Sequence, residues 1–227
     1  MLRVAAGELP PTLRLARPAR AIAFSKRDAV TPGFREAASR ARELGFEPIV
    51  RLAGGRAAVY HEGTMELAHA RRDPDPQKGI HERFAATAEL LAAALRAVGA
   101  DARVGEVPGE WCPGRYSVNA RGAVKLAGLG QRIVAGGSHT GAVVVVSGVS
   151  SLAAALGPVY QALGVSWEPA TAGAVASEAG LGSEDGWLRT RDALVAEYAR
   201  RNDVEPADLD KDTLALARRL AAEHRAA

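Results

Sequence analysis

Residues 116–147 read YSVNARGAVKLAGLGQRIVAGGSHTGAVVVVS, and this stretch sets the predicted fold. Its extended segments, 116–119, 124–133 and 140–147, are joined by turns that contain Ala-Arg-Gly and Ala-Gly-Gly. Short glycine-containing turns between such segments are typical of antiparallel hairpins. The continuous valines at 143–146 indicate that the third strand is buried on both faces. The stretch therefore predicts a three-stranded antiparallel meander.

Helical spacing of apolar or small residues marks segments on both sides of the meander. The predicted helices lie at 34–44, 80–98, 152–163, 187–201 and 206–224. Strands grouped in hairpins, with helices outside them, are typical of an α+β fold rather than of alternating βαβ units. We therefore predict a mixed, mostly antiparallel β-sheet with flanking helices.

Further strands are predicted before the meander. Residues 1–20 are rich in Pro and Arg, which indicates an extended arm followed by a first strand. Short apolar segments predict strands at 21–25, 46–52 and 101–107, and residues 66–70 predict an edge strand. After the meander, residues 168–184 are rich in Ala, Gly and Ser, which predicts a flexible connector.

The composition argues against several functional classes. The chain has 227 residues, a formal net charge of +3 and 5% aromatic residues. Nucleic-acid-binding proteins concentrate positive charge on one face, and no run here does so, so nucleic acid is not an expected partner. One cysteine excludes an internal disulfide and a multi-cysteine zinc site, and no metal is expected. No apolar run approaches the roughly 20 residues of a membrane span, so no membrane partner is expected and the cytoplasm is the expected compartment.

The single cysteine and one isolated lysine are the first candidates for chemistry. Cys112 stands in a Trp-Cys-Pro-Gly turn, where a thiol is more exposed than in a strand or helix. Taken alone, it is more often a small apolar residue packed near a tryptophan. Lys125 lies in an apolar strand next to Gly128, which leaves room for a ligand over the strand. Its ammonium group would favour the nucleophilic thiolate or polarise a carbonyl group, unless the side chain simply extends to solvent.

A glycine pair and two histidines complete the local candidates. Gly54 and Gly55 are flanked by arginines in the stretch RLAGGRAAVYH at 51–61, and a tight turn is the commoner meaning of such a pair. The alternative is a loop whose backbone approaches a ligand, with cationic groups beside it. His61 and His139 are candidate general bases, although each alone is more often structural. A papain-type cysteine protease is disfavoured, because the surroundings of Cys112 do not look like a papain-type helix.

Three sequence blocks resemble the lipoate-protein ligase and octanoyltransferase superfamily, which is related to the biotin ligase catalytic domain. Residues 51–61 are similar to its Arg-Arg-x-x-Gly-Gly-x-Ala-Val-x-His motif, with Leu52 where a second Arg is usual. Residues 124–131, VKLAGLGQ, look like its Lys-hydrophobic-Ala-Gly-x-x-Gln strand, and Lys125 aligns with the lysine. Residues 110–118, EWCPGRYSV, are similar to the Cys-Pro-Gly-x-Tyr-Asp segment of the octanoyl-protein amidotransferases.

The resemblance implies a fold and a set of site residues. The fold would be that of the biotin/lipoate protein ligase catalytic domain, covering 1–167, with a connector at 168–184 and C-terminal helices at 185–227 that pack on the domain. Cys112 and Lys125 would be catalytic. The groove for an octanoyl or lipoyl chain would be bordered by substrate-binding residues, which are Arg51, Gly54, Gly55, Arg56, His61, Ala127, Gly128, Gln131 and His139.

The implied activity is an acyltransferase that moves an octanoyl or lipoyl group through a thioester on Cys112, with Lys125 and a backbone amide stabilising the oxyanion. The donor would be an acyl-carrier protein or an octanoylated carrier protein. The acceptor would be a lysine of a lipoyl-domain protein or of the glycine cleavage H protein, and no cofactor is expected. One alternative is an ATP-dependent lipoate-protein ligase that uses ATP and Mg²⁺ through lipoyl-AMP, with Cys112 incidental. Another is a non-catalytic acyl- or biotin-binding relative.

Overall fold

The computed structural model describes residues 1–226, and the elements below are those of this range. The strands, in chain order, are β1 (Thr12–Ala16), β2 (Ala21–Phe24), β3 (Glu47–Val50), β4 (Ala58–Tyr60), β5 (Thr64–Arg72), β6 (Ala102–Val104), β7 (Val118–Ala120), β8 (Val124–Val134) and β9 (Gly137–Val145). The α-helices are α1 (Leu2–Ala5), α2 (Lys26–Ala29), α3 (Phe34–Glu43), α4 (Ile80–Val98), α5 (Val149–Leu163), α6 (Val175–Glu178), α7 (Ser183–Ala199) and α8 (Lys211–Ala221). Short 3-10 helices span Pro169–Thr171 and Ala222–His224.

The strands of the described range form two sheets. The larger sheet has the order β1-β5-β9-β8-β7-β6 and is antiparallel throughout. The smaller sheet has the order β3-β2-β4, with a parallel β2–β3 pair and an antiparallel β2–β4 pair. One face of the larger sheet packs on α4 and α7, and its other face packs on α3, α5 and the smaller sheet. The predicted α+β fold with a mostly antiparallel sheet is confirmed.

The predicted meander is also present, as β7, β8 and β9. Val143 and Val145 belong to the core beside the smaller sheet, whereas Val144 and Val146 belong to the core beside α4. All four side chains are buried. A strand that is covered on both faces has no polar side to display, which explains the unbroken apolar run.

Two sequence-based expectations about the N-terminal half are wrong. Strand β5 is not an edge strand, because it pairs with β1 on one side and with β9 on the other. Residues 66–70 alternate between the two faces of a central strand. The predicted N-terminal arm contains the short helix α1, whose Val4 is buried. The first strand follows it, as expected.

The segment predicted as a flexible connector packs against the larger sheet. Ala172, Ala174 and Val175 are buried, and Ala172 forms a parallel β-bridge with Lys125. The low-complexity composition is explained by close packing, because a Cβ at Gly173 would lie 2.4 Å from a methyl group of Val124. The boundaries of the predicted domain stay a prediction.

The C-terminal helices differ from each other in their packing. Leu194 and Tyr198 of α7 belong to the core that α4 covers, whereas α8 has no buried residue. The chain after α8 returns to the smaller sheet, where the amide of Ala226 donates to the carbonyl of Pro48. Within residues 1–226, no helix has the length and apolarity needed to cross a membrane.

Candidate active site

The turn that carries Cys112 lies between β6 and β7, and residues 110–114 are called the thiol turn below. Cys112 has a φ of +43°, a left-handed conformation that is uncommon for a residue with a side chain. Its amide donates a hydrogen bond of 2.9 Å to the hydroxyl of Tyr160, a buried residue of α5. That hydroxyl donates in turn to the carbonyl of Ala57, at 2.9 Å. Tyr160 thus connects the thiol turn to the loop that precedes β4.

Lys125 projects from β8 beneath the thiol turn and is completely buried. Its Nζ lies 2.9 Å from Oε1 of Glu110, 3.0 Å from the carbonyl oxygen of Trp111 and 2.8 Å from that of Cys112. An ammonium group has three donors, and the turn accepts all three. Nζ also lies 4.6 Å from the centre of the Trp111 ring, in a cation–π contact. Cys112 and Lys125 therefore belong to one unit.

The glycine pair lies directly against the thiol, and residues 51–56 are called the glycine loop below. Sγ of Cys112 accepts a hydrogen bond from the amide of Arg56 at 3.1 Å, and a guanidinium nitrogen of Arg51 lies 3.8 Å from it. A Cβ at Gly55 would lie 2.8 Å from Sγ, so only glycine fits beside the thiol. At Gly54, by contrast, a Cβ would meet no atom within 4 Å.

The two arginines of the glycine loop have different roles. Arg51 Nη2 donates to the carbonyls of Gly54 and Arg56, at 2.9 and 2.6 Å, and thereby fixes the loop that contacts the thiol. The side chain of Arg56 instead pairs with the buried carboxylate of Asp28 at 3.0 Å. Arg56 therefore contributes only its backbone amide to the thiol. The Arg56 amide and the Arg51 guanidinium are therefore the two donors that reach the sulfur.

Glycines also line the sheet beneath the glycine loop. A Cβ at Gly128 would lie 3.4 Å from Nζ of Lys125, and a Cβ at Gly130 would lie 3.2 Å from the Cβ of Ala53 in the loop. Gly130 is paired with Gly141 of β9. The glycine loop therefore lies close over this part of β8, where glycines stand in place of larger side chains.

Two residues expected to border the site lie on the opposite face of the larger sheet. Ala127 is buried in the core beside α4. The amide of the Gln131 side chain donates to the carbonyl of Ile80 at 2.8 Å, and its oxygen accepts from Arg83. Gln131 therefore anchors the start of α4. This geometry contradicts a direct contact of these two side chains with the thiol turn.

The candidate general bases are also separate from the thiol. His61 is buried, and its Nδ1 accepts from the amide of Gly63 at 3.0 Å, so that the proton of the neutral ring is on Nε2. It lines a different surface cavity of about 290 Å³, together with residues such as Ser147 and Trp187. His139 lies opposite Arg132 near the end of the β8–β9 hairpin. In the described range, no histidine is hydrogen-bonded to Cys112.

Burial sets the protonation state of two of the candidate histidines and of two tyrosines. It lowers the pKa of His61 and of His139, so both rings are neutral near pH 7. It raises the pKa of Tyr60 and of Tyr160, and the Tyr160 phenol therefore keeps the proton that it donates to the carbonyl of Ala57. Among the described residues, no group of three or more His, Cys, Asp or Glu side chains could hold a metal ion.

The sequence analysis did not identify two side chains that hold the thiol turn in place, Glu110 and Tyr160. Glu110 neutralises Lys125, and Tyr160 binds the amide of Cys112. The sequence did indicate Glu110. A lysine in an apolar strand needs a buried counter-charge, and Glu110 is two residues from the cysteine. No local pattern indicates the role of Tyr160, which reads as an apolar position of its helix.

Comparison with known proteins places this geometry in a family. The family model described as "Lipoyl protein ligase A/B catalytic domain" matches residues 1–166. A relative from Geobacillus kaustophilus, named octanoyl-GcvH:protein N-octanoyltransferase, is 30% identical over 153 residues, which are 67% of this chain and 54% of the relative. A relative of the same name from Bacillus velezensis is 31% identical over 60% of this chain and 47% of its own length. The chain thus spans about half the length of the curated relatives it matches.

Solved structures show the same fold. A bi-partite lipoate protein ligase from Thermoplasma acidophilum has a TM-score of 0.72 and 19% identity, over 96% of this chain and 84% of the other. A lipoate-protein ligase A bound with ATP has a TM-score of 0.73 and 19% identity, over 94% and 82% of the two chains. At this identity the likeness establishes the architecture alone. The family match over residues 1–166 goes further: the chain belongs to the lipoyl protein ligase A/B catalytic domain family.

Proposed function

We propose that this protein is an octanoyltransferase that moves an octanoyl group to a lysine of a lipoyl domain or of a glycine cleavage H protein, through a thioester on Cys112. The observation that carries the proposal is the environment of the thiol. Its sulfur accepts from the Arg56 amide and contacts the Arg51 guanidinium, while the turn that bears it is fixed by Lys125. A thiol with two donors is suited to act as a nucleophile.

The reaction has two balanced halves. The Cys112 thiolate attacks the carbonyl carbon of an octanoyl-lysine amide on the donor, the C–S bond forms and the C–N bond breaks. The donor lysine leaves as an amine with the proton that the thiol gave up. The acceptor lysine then attacks the thioester, the new C–N bond forms, the C–S bond breaks, and the proton returns to sulfur. One amide replaces another, so the transfer is close to thermoneutral and needs no ATP or metal.

The proposed place of the acyl chain is over the glycines near the thiol, Gly55, Gly128 and Gly130. A Cβ at Gly130 would lie 3.2 Å from the Cβ of Ala53, so the glycine loop has to move for the chain to enter. Burial of an octanoyl tail would contribute several kcal/mol, at about 0.8 kcal/mol per methylene. The relatives are named as octanoyl-GcvH:protein N-octanoyltransferases, which supports an octanoylated carrier protein as the donor here.

The contacts of Lys125 do not fit the expected role of stabilising the oxyanion. Each donor of Lys125 Nζ is already engaged by Glu110, Trp111 or Cys112, so it has no free hydrogen for a substrate oxygen in this conformation. We infer that Lys125 supports the nucleophile by fixing its turn. The Arg56 amide, the backbone donor that contacts Sγ, is then the candidate for contact with the oxyanion.

Intact-mass spectrometry tests the function. The purified chain is mixed with octanoylated H protein and an unmodified lipoyl domain, without ATP. We expect a transient mass increase on the chain and a stable one on the acceptor. Because Cys112 is the only cysteine, Cys112→Ser removes the enzyme adduct without ambiguity about its position. Modification of the acceptor that requires octanoate or lipoate with ATP, and that survives Cys112→Ser, would instead establish the ATP-dependent ligase.

A further inference from the structure

The carboxylate of Glu110 is the central acceptor of the thiol turn. It is completely buried, and its Oε1 accepts from Lys125 Nζ at 2.9 Å, from the amide of Gly114 at 3.1 Å and from the hydroxyl of Ser117. Its Oε2 accepts from the amide of Val107 at 3.0 Å. One carboxylate therefore joins the chain before the turn, the chain after it and the strand beneath it.

The turn needs such support because its backbone is strained. Cys112 has a φ of +43°, and a non-glycine residue keeps this conformation only where its surroundings impose it. Two carbonyls of the turn are bound by Lys125, and the amide of Cys112 is bound by Tyr160. Lys125 can do this while buried only because Glu110 neutralises its charge.

We propose that Glu110 is a positioning residue for the nucleophile, acting through Lys125. It keeps the lysine in place beneath the turn, and the turn presents the Cys112 sulfur to the Arg56 amide and the Arg51 guanidinium. Glu110 makes no hydrogen bond to the sulfur, so its effect on the thiol is indirect. The inference rests on the proposed function only for the transfer step, because the reactivity of the thiol can be measured without any substrate.

A carboxylate introduced at position 117 can test the role of Glu110. The Ser117 hydroxyl is in contact with Oε1 of Glu110, so a carboxylate at position 117 would reach the same region beside Lys125. Glu110→Gln keeps the shape of the side chain but removes the charge. Ser117→Asp alone sets two carboxylates side by side, which is unfavourable in a buried site. In the double variant, Asp at 117 would restore one negative charge next to the lysine.

The experiment measures the alkylation of Cys112 by iodoacetamide in four proteins: the wild type, Glu110→Gln, Ser117→Asp and the double variant. We expect each single substitution to slow alkylation at pH 7 by at least about tenfold, the effect of losing a hydrogen bond to a charged group. The double variant should be faster than either single one. The rate at pH 10, where thiols ionise without help, is the control. If a substitution only exposes the thiol to solvent, alkylation becomes faster at both pH values. If it displaces the thiol from its hydrogen-bond donors, the rate at pH 7 falls relative to the rate at pH 10.

The results separate this inference from the proposed function. Alkylation of Glu110→Gln at the wild-type rate, or a double variant slower than both single ones, would overturn the positioning role. If circular dichroism shows that Glu110→Gln does not fold, the double variant is compared with Ser117→Asp alone. Faster alkylation of the double variant then supports the positioning role, and slower alkylation contradicts it. A wild-type chain that fails to transfer octanoyl groups, yet shows the expected alkylation pattern, would refute the function and leave the positioning role intact.

Discussion

Gly55→Ala is the sharpest test of the contact between the glycine loop and the thiol. The residue has a φ of +101°, in which an alanine is strained by about 1–3 kcal/mol. The new Cβ would lie 2.8 Å from Sγ of Cys112 and 2.9 Å from Nη2 of Arg51, which is closer than carbon approaches either atom. The sulfur must therefore leave its position beside the loop.

The size of the effect follows from the hydrogen bond that is lost. Sγ accepts from the Arg56 amide at 3.1 Å, and a hydrogen bond to a charged group contributes about 1.5–3 kcal/mol. At about 1.4 kcal/mol for each factor of ten, formation of the octanoyl thioester should slow by about 10- to 150-fold. The strain at position 55 should also lower the melting temperature, by about 2–4 °C for each kcal/mol.

The assay is the rate of the enzyme adduct from octanoylated H protein, followed by intact mass, together with alkylation by iodoacetamide. Gly54→Ala is the matched control, since its Cβ would meet nothing within 4 Å and its φ lies outside the left-handed region. We expect the control to react within about twofold of the wild type, as surface substitutions change free energies by less than about 0.5 kcal/mol. A folded Gly55→Ala protein that forms the adduct as fast as Gly54→Ala would refute the proposed packing of loop and thiol.

Two further predictions concern His69 and Tyr160, which lie outside the glycine loop. Burial lowers the pKa of His69 to about 4, so the unfolded chain binds a proton that the folded chain does not between pH 6.5 and 4. Stability is therefore full above pH 6.5 and falls by at most about 3 kcal/mol towards pH 4, and urea unfolding at pH 7.5 and 4.5 should show a smaller loss in His69→Gln. Tyr160→Phe leaves the Cys112 amide and the Ala57 carbonyl without partners, which should cost about 1–3 kcal/mol in urea unfolding and slow alkylation of the thiol. Tyr116→Phe, which loses only an exposed contact, is its control, and equal losses in the two variants would contradict the role given to Tyr160.

The sequence was a poor guide to which side chains of β8 face the site. Strict alternation from Lys125 places Ala127 on the same face, next to the thiol turn. In the structure, Leu126 and Ala127 both join the core beside α4, and Gly128 lies beside Lys125. The β7–β8 pairing is irregular at this point, with Val118 opposite Ala127 and Asn119 opposite Lys125. An irregularity of this kind reverses the faces beyond it, and a single sequence does not reveal it.

The sequence was a good guide wherever one local rule decided the outcome. The apolar run of β9, the glycine turns of the meander and the periodicity of Ile80–Val98 each predict an element that the structure contains. The motifs around Gly55, Cys112 and Lys125 also indicate the family, because backbone approach, a turn thiol and a buried ammonium group each require one residue type. Fold class and membership of the family were thus determined by the sequence alone.

The tertiary structure alone decided how those residues act on one another. It set Glu110 and Tyr160 beside the thiol turn and engaged every donor of Lys125, and it moved His61 to a separate cavity. The reason is physical: a buried charge takes whichever counter-charge the chain path brings within hydrogen-bond distance, and that distance is set by the packing of sheets and helices. The sequence shows that a lysine and a thiol are present. Only the fold shows that Lys125 holds the turn that carries Cys112.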